Sequence, residues 1–246
     1  MNIFHIKNIN DLIDKSKKIV AAVDSDGSVL LRGLFDPDQI RNALPKIYNS
    51  LDSNQVLGTT AASKDDVRKN FLKWSIGGFT GAQKGNARFM LTVYNPLSSE
   101  DIYGFHNSFR KLIDVRDALR NDGQSTHDKD LKGDSFNGCR FQVYPCGGGF
   151  MLGHTDYEAE STSMLNKIPL LQLLLFVTER GVDFYEGGAF LQNSKQELDV
   201  ESIAKSGDVA VYNGKSFHGV KDIDPFLPLQ LTEIRGRVVA LVTIYK

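Results

Sequence analysis

The sequence predicts a mainly β protein with bracing α-helices, and three observations carry that prediction. The second half of the chain breaks into short apolar runs: "CRFQVY", "LLQLLLFVT", "GGAFLQ", "DVAVYN", "HGVKDI" and "RVVALVTIY". Glycine-rich or polar turns separate them, which is the pattern of an antiparallel sandwich or barrel. Helical periodicity, in contrast, is concentrated before residue 122. No linker rich in proline and serine marks the change. Residues 1–246 therefore read as one domain, with 1–122 a helix-rich N-terminal support and 123–246 the β-core.

The elements follow in order. Residues 8–23 place Ile9, Leu12, Ile13, Ile19 and Val20 at roughly helical spacing. "SVLLRGLF", 28–35, predicts a short strand. In "DPDQIRNALPKIYNSLD" Asp36 is the N-cap and Pro37 the first helical residue. Pro45 inside it predicts a kink or a break, because proline has no N–H to donate. The stretch 68–89 is glycine-rich, holds the single tryptophan, and reads as a lid or substrate loop, with core packing of Trp74 the plainer alternative. "ARFMLTVYN", 87–95, alternates like a strand. Over 99–122, Ile102, Phe105, Phe109, Leu112, Ile113, Val115 and Leu119 line one side of a helix. "NDGQSTHDKDLKGDSFNG" is a polar loop before the strands begin.

Composition narrows the function classes. The formal charge is −1, so no electrostatic footprint argues for a nucleic-acid partner. The longest apolar run, Leu173 to Val177, is far short of a membrane span, and the N-terminus lacks a signal-length apolar core. The two cysteines, Cys139 and Cys146, would sit roughly 20 Å apart on one extended strand, too far for a disulfide. A cytoplasmic protein acting on a small molecule, with no membrane or nucleic-acid partner, is the expectation. Oligomeric state has no signal in the sequence.

One stretch carries chemistry. "GGGFMLGHTDYEAES", 147–161, places His154 and Asp156 two residues apart, and on a strand such residues share a face. An imidazole and a carboxylate on one face can hold one metal ion. By itself the pair is a weak signal. "GDVAVYNGKSFHGV" supplies a second histidine, His218. Two histidines and a carboxylate form the facial triad of non-haem Fe(II) oxygenases, with open positions for substrate and dioxygen. The alternative for His218 is a strand histidine satisfied by a carbonyl. Arg235 and Arg237 open the apolar last strand, and a guanidinium there wants a carboxylate, held bidentately.

Taken in order, His154-x-Asp156, His218 and Arg237 resemble the Fe(II)- and 2-oxoglutarate-dependent dioxygenases, in their prolyl-hydroxylase-like and phytanoyl-CoA-hydroxylase-like branches. "YPCGGGFMLGHTD" resembles the lead into that family's metal-bearing strand, "EGGAF" its GG segment, and "VLLRGLFDPDQIRNAL" its N-terminal opening. The ordered resemblance spans about 139–246. It implies a double-stranded β-helix core, the jelly-roll or cupin-like barrel. It implies Fe(II) on His154, Asp156 and His218, 2-oxoglutarate as co-substrate, dioxygen, and ascorbate as a supporting reductant. Arg237 would clamp the distal carboxylate of 2-oxoglutarate with help from Tyr144, and Arg235 is its rival. Halogenating relatives lose the carboxylate ligand; Asp156 is present, which implies hydroxylation or a related oxidation.

Substrate residues are read from alternation. If Tyr144 points into the barrel, so do Gln142 and Arg140. A buried Arg140 wants a substrate anion, or else a salt bridge to an acidic residue such as Asp208. Gln172 faces the same cavity or pairs with Gln142. Asn213 is a further candidate, although an asparagine before Gly214 also suits a turn. Tyr157 and Glu158 would reach the rim, and Trp74 belongs to the same candidate set. The expected function is hydroxylation of an unactivated C–H of a small polar metabolite, an amino acid or natural-product precursor, releasing succinate and CO2. A peptidyl prolyl or aspartyl hydroxylase is the second reading, and a non-catalytic metal- or 2-oxoglutarate-binding β-helix the third.

Overall fold

Strand alternation at the C-terminus organises the molecule. The computed structural model describes residues 1–50, 56–57, 65–80, 83–156, 171–193, 196–230 and 234–245. In chain order the elements are β1 (Asn2–His5), α1 (Ile9–Asp26), β2 (Ser28–Arg32), α2 (Pro37–Arg41), α3 (Leu44–Asn49) and β3 (Val56–Leu57). Next come β4 (Phe71–Thr80), β5 (Gln83–Tyr94), α4 (His106–Arg120), β6 (Phe136–Pro145), β7 (Gly149–His154) and β8 (Gln172–Phe176). The chain closes with β9 (Gly188–Gln192), β10 (Glu197–Asp199), β11 (Val209–Tyr212), β12 (Phe217–Ile223) and β13 (Gly236–Tyr245).

The ladder order is β1-β2-β11-β8-β13-β6-β5-β7-β12-β9-β10, with β4 and β3 added beside β5. Two antiparallel four-stranded groups stand out: β11-β8-β13-β6 and β7-β12-β9-β10. This pairing is that of a double-stranded β-helix. The long ribbon β6–β13 continues into the ribbon β7–β12, and the chain changes sheet between them. β5 joins the two groups, pairing β6 through Leu91–Tyr94 and β7 through Arg88 and Phe89.

Side-chain parity separates two cores. On β13, Val238, Ala240 and Val242 face outward and pack with Leu12, Ile19 and Val23 of α1 and with Phe109, Leu112 and Ile113 of α4. The opposite face, with Val239 and Leu241, joins Tyr144, Phe176, Tyr212, Leu191, Val220 and Ile223, residues drawn from both groups of strands. The helices thus cover the outside of the larger sheet, and the inner face looks across at the smaller one. Phe141 centres the outer core, with ring centroids 4.8 Å from Phe105 and 5.3 Å from Phe109.

Several expectations are corrected. The predicted helix over 99–122 begins only at His106, because the Asp101 carboxylate accepts from the Phe105 and His106 amides at 2.8 and 3.2 Å. Ile102 lies before the helix and is exposed. The described residues of 68–89 are mostly strand and not loop: β4 and β5 pair from Phe71↔Tyr94 to Gly77↔Arg88, and Gly77 sits at a register shift inside that ladder. Trp74 is buried in the outer core, stacked on Phe89 at 5.7 Å, on the face opposite the one that carries Tyr144 and Arg237. The first half also carries five strands, with β1 and β2 extending the sheet itself, so it is more than helical support. The break expected around Pro45 is present: α2 ends at Arg41 and α3 begins at Leu44, with Pro45 in its first turn. No helix among the described residues is long and apolar enough to cross a membrane.

Truncating the aromatic hub tests this packing. Phe141→Ala is expected to destabilise the protein by about 3–5 kcal/mol in urea denaturation, through lost transfer energy and a cavity. A loss under about 1 kcal/mol would contradict the assignment of the outer core.

Candidate metal centre

The glycine run does the first part of the work. β6 passes into β7 through Gly147 and Gly148, at φ of +90° and +103°, where a side chain would be strained. Their amides donate to Asp224 O at 3.1 Å and Ile223 O at 2.9 Å, pinning the corner to the end of β12. β7 then runs antiparallel to β12, with His154 directly opposite His218. Directly opposed residues share a face, and the two rings lie 4.4 Å apart.

Each ring is oriented by its own backbone. His154 Nδ1 donates to Leu152 O at 2.9 Å, and His218 Nδ1 donates to Ser216 O at 2.8 Å. A carbonyl can only accept, so Nδ1 carries the proton in both rings and both Nε2 lone pairs are presented to the site. The carbonyl bond that a structural histidine would show is therefore present at His218, and it serves ligand geometry as well. Asp156 lies two residues past the end of β7, not on the strand as its spacing suggested. Its amide donates to Gly214 O at 3.0 Å, which swings the carboxylate back under the rings. Asp156 Oδ1 is 4.0 Å from each Nε2. All three donor atoms fall within 4.8 Å of one another.

This donor set suits a divalent first-row metal: two neutral imidazole nitrogens and one hard carboxylate oxygen, on one side only. Metal–donor bonds of about 2.1 Å put neighbouring donors about 3 Å apart, a closure of roughly 1–2 Å by side-chain rotation. Tyr212 packs its ring 4.8 Å from that of His218. Burial, then the Asp156 charge, pushes the Tyr212 hydroxyl well above its usual range, so it stays a neutral phenol.

Arg237 stands on the inner face of β13, opposite Tyr144 of β6. It is 1% exposed. Its Nε donates to Glu201 Oε1, and its guanidinium lies 5.3 Å from the Tyr144 ring centroid and 5.7 Å from that of Phe176. The two terminal nitrogens have no hydrogen-bond partner among the described residues. A buried guanidinium with both terminal nitrogens open is a cradle for a carboxylate. Burial raises the Tyr144 hydroxyl above its ordinary range, against a smaller lowering by Arg237, and the neutral group donates to Gln142 Oε1 at 3.2 Å.

Glu201 was missed by sequence reasoning. It sits on a 3-10 turn, Val200–Ser202, and also accepts from the Ala189 amide at 3.2 Å. A Cβ at Gly188 would fall 2.1 Å from Glu201 Cγ, so the second glycine of "EGGAF" makes room for this carboxylate. That glycine pair is the one sequence signal that could have pointed to it.

The remaining candidates separate. Arg235 precedes β13 and is exposed, unlike Arg237. Arg140 and Gln142 share the inner face with Tyr144; Arg140 Nη1 donates to Gly138 O and Thr243 Oγ1, and the expected partner Asp208 pairs instead with Arg32 at 2.7 Å. Gln172 opposes Tyr212, and β13 separates β8 from β6, so it cannot pair with Gln142 across the sheet. Asn213 is a turn former: its Oδ1 accepts from the amides of Lys215 and Ser216 at 3.0 and 3.1 Å. Tyr157 and Glu158 lie outside the described residues.

The Arg237–Glu201 pair generates a stability prediction. Removing one partner of a buried pair strands the other charge, so Arg237→Met is expected to lose about 3–5 kcal/mol by chemical denaturation. Adding Glu201→Gln to the same chain should recover most of it. An Arg237→Met protein as stable as the parent would contradict the pairing.

Comparison with known proteins bears on the fold. No protein-family model matches the chain, and no curated protein matches it either. Solved structures do. A prolyl-4-hydroxylase from Pseudomonas putida is 15% identical, with a TM-score of 0.55 over 94% of this chain and 100% of that one. A prolyl hydroxylase from Trichoplax adhaerens, in complex with a hypoxia-inducible-factor oxygen-degradation-domain peptide, is 12% identical, with a TM-score of 0.55 over 96% and 91%. The non-haem alpha-ketoglutarate-dependent epimerase SnoN of nogalamycin biosynthesis is 12% identical, with a TM-score of 0.56 over 95% and 83%. The chain therefore shares its fold, over nearly its whole length, with 2-oxoglutarate-dependent non-haem iron oxygenases.

Proposed function

We propose that this protein is an Fe(II)- and 2-oxoglutarate-dependent oxygenase that hydroxylates an unactivated C–H of a small polar metabolite. The observation that carries the proposal is the pairing of two features in one barrel. Three donors converge from β7, β12 and the turn after β7, and a buried arginine on the inner face of β13 keeps its terminal nitrogens open. The shared fold supports the same reading. In this reading His154, Asp156 and His218 hold Fe(II), and dioxygen is the oxidant.

When bound, Fe(II) with 2-oxoglutarate and dioxygen supplies the power to remove a hydrogen atom from a C–H bond, with succinate and CO2 released. The chain positions the partners and excludes water. Arg237 binds the distal carboxylate of 2-oxoglutarate through its terminal nitrogens, and Glu201 fixes the direction of the fork by holding Nε. Tyr144 flanks that carboxylate as a neutral phenol. Phe176, Val239 and Leu241 keep the inner face dry, which strengthens the arginine–carboxylate attraction. The two backbone-held imidazoles keep their Nε2 atoms aimed at the site, so that binding needs only a small closing rotation of the side chains.

A peptide substrate is the second reading. Two of the structural relatives are prolyl hydroxylases, one of them solved with a peptide. A panel of proline-containing peptides against free amino acids separates the two readings by which of them accelerates 2-oxoglutarate consumption.

Two outcomes test the assignment. His154→Ala and His218→Ala are each expected to lower Fe(II)-dependent succinate formation at least ~100-fold, since a two-donor site holds the ion poorly. Turnover at the parent rate in either variant would sink the metal assignment. Arg237→Met is expected to raise the KM for 2-oxoglutarate on the order of 100-fold, in line with loss of a charge-assisted bidentate pair. An unchanged KM would move the co-substrate site elsewhere.

A further inference from the structure

The inner face of the larger sheet carries two buried cations that neither the metal centre nor the co-substrate cradle uses. Lys73 of β4 opposes Thr92 of β5, which opposes Gln142 of β6, which opposes Val239 of β13. Opposed residues share a face, so Lys73, Thr92 and Gln142 form one row on the face that holds Val239, inside the barrel. The next row is Tyr94, Arg140 and Leu241. Lys73 and Arg140 are each 7% exposed.

Among the described residues neither cation is in a direct ion pair with a carboxylate, although Asp66 acts on Lys73 and Asp156 on Arg140 at longer range. Arg140 Nη1 bonds only to a carbonyl and a hydroxyl, Gly138 O and Thr243 Oγ1, and its guanidinium lies 5.8 Å from the Tyr245 ring centroid. Burying two unpaired charges is unfavourable. Burial, and then repulsion from Arg88, lowers Lys73 to about 8 against a smaller raising by Asp66, which still leaves it mostly protonated at neutral pH. The row also offers the Thr92 hydroxyl and the Gln142 amide.

Position distinguishes this row from the co-substrate cradle. Tyr144, Gln142 and Arg140 are successive inner-face residues of β6, so Arg140 lies two steps, about 13 Å, from the Tyr144–Arg237 end. Arg140 acts electrostatically on Tyr144 and Tyr212, and Asp156 acts on Arg140, so its charge is felt inside the barrel between the cradle and the metal donors.

We propose that Lys73 and Arg140 form a substrate subsite for an oxyanion, so that the substrate is a small molecule bearing a carboxylate or a phosphate ester. The subsite explains why two cations stay buried in a barrel interior with no direct ion pair to a carboxylate among the described residues. It rests on the oxygenase reading only for the word substrate; as an anion site it stands on the row itself. It also favours a small metabolite over a peptide backbone, which is neutral.

The test is calorimetric binding to protein loaded with Mn(II) and saturating 2-oxoglutarate, repeated without either. The probes are acetate, L-alanine and L-glutamate for carboxylates, inorganic phosphate and glycerol 3-phosphate for phosphates, and acetamide and glycerol as neutral controls. At least one anion is expected to bind where the neutral controls do not, and the group that binds names the source. Lys73→Met and Arg140→Met should each weaken that anion at least tenfold and shift 2-oxoglutarate affinity less than twofold. Arg140→Lys, which keeps the charge and loses the fork, should fall between, and it guards against a loss that is only misfolding. Binding of no anion by the parent, equal anion binding by both Met variants, or loss of 2-oxoglutarate affinity in them would overturn the subsite. If 2-oxoglutarate fails to bind the parent while an anion still requires Lys73 and Arg140, the subsite is supported and the co-substrate reading falls.

Discussion

The functional reading depends on one cross-strand pair, His154 opposite His218 in the β7–β12 ladder. Strand side chains alternate, so a one-residue slip of either strand would turn one imidazole to the outer surface. Much of the surrounding structure serves to prevent that slip. The corner at Gly147 and Gly148 is tied to the carbonyls of Asp224 and Ile223, which fixes where β7 begins relative to the end of β12. The Asn213 turn fixes where β12 begins. The amide of Asp156 reaches the same turn at Gly214 O, so the third donor is registered by the segment that registers the second. Each ring is then locked by an acceptor two residues upstream on its own chain.

Charge inside the barrel is arranged in the same economical way. Arg237 is paired through Nε alone, which offsets its burial while leaving its terminal nitrogens open for a second carboxylate. Among the described residues Lys73 and Arg140 have no direct ion pair with a carboxylate. The inner face thus has a neutralised arginine at the corner end and two further cations in adjacent rows away from it. This asymmetry suits two anionic guests of different kinds, one at each end of the cavity, and electrostatic complementarity of this sort contributes to specificity as well as to affinity.

How much of this was legible depended on whether the information was local. The β-core strands were readable because alternating β-branched residues need no partner to be recognised, and the inward parity of Arg140, Gln142 and Tyr144 followed from the same alternation. The corner glycines and the Asn213 turn were readable as turn chemistry. What was missed is non-local. Glu201 meets Arg237 across 36 residues, and nothing in its own segment marks it as buried. Lys73 lies in a stretch whose glycines suggested a loop, yet pairing with β5 makes that stretch a strand, with Trp74 turned to the outer core and Lys73 to the inner one. Asp156 was assigned to the right site for an incomplete reason: it is brought under the rings by a backbone bond beyond the strand, not by strand periodicity.

The most direct measurement is a crystal structure determined under anaerobic conditions after soaking with Fe(II) and 2-oxoglutarate. The account predicts a metal bound to Nε2 of His154, Nε2 of His218 and the carboxylate of Asp156, with the distal carboxylate of 2-oxoglutarate on the terminal nitrogens of Arg237. Density for 2-oxoglutarate on Arg235 or on Lys73 and Arg140, or a metal held without both histidines, would contradict it.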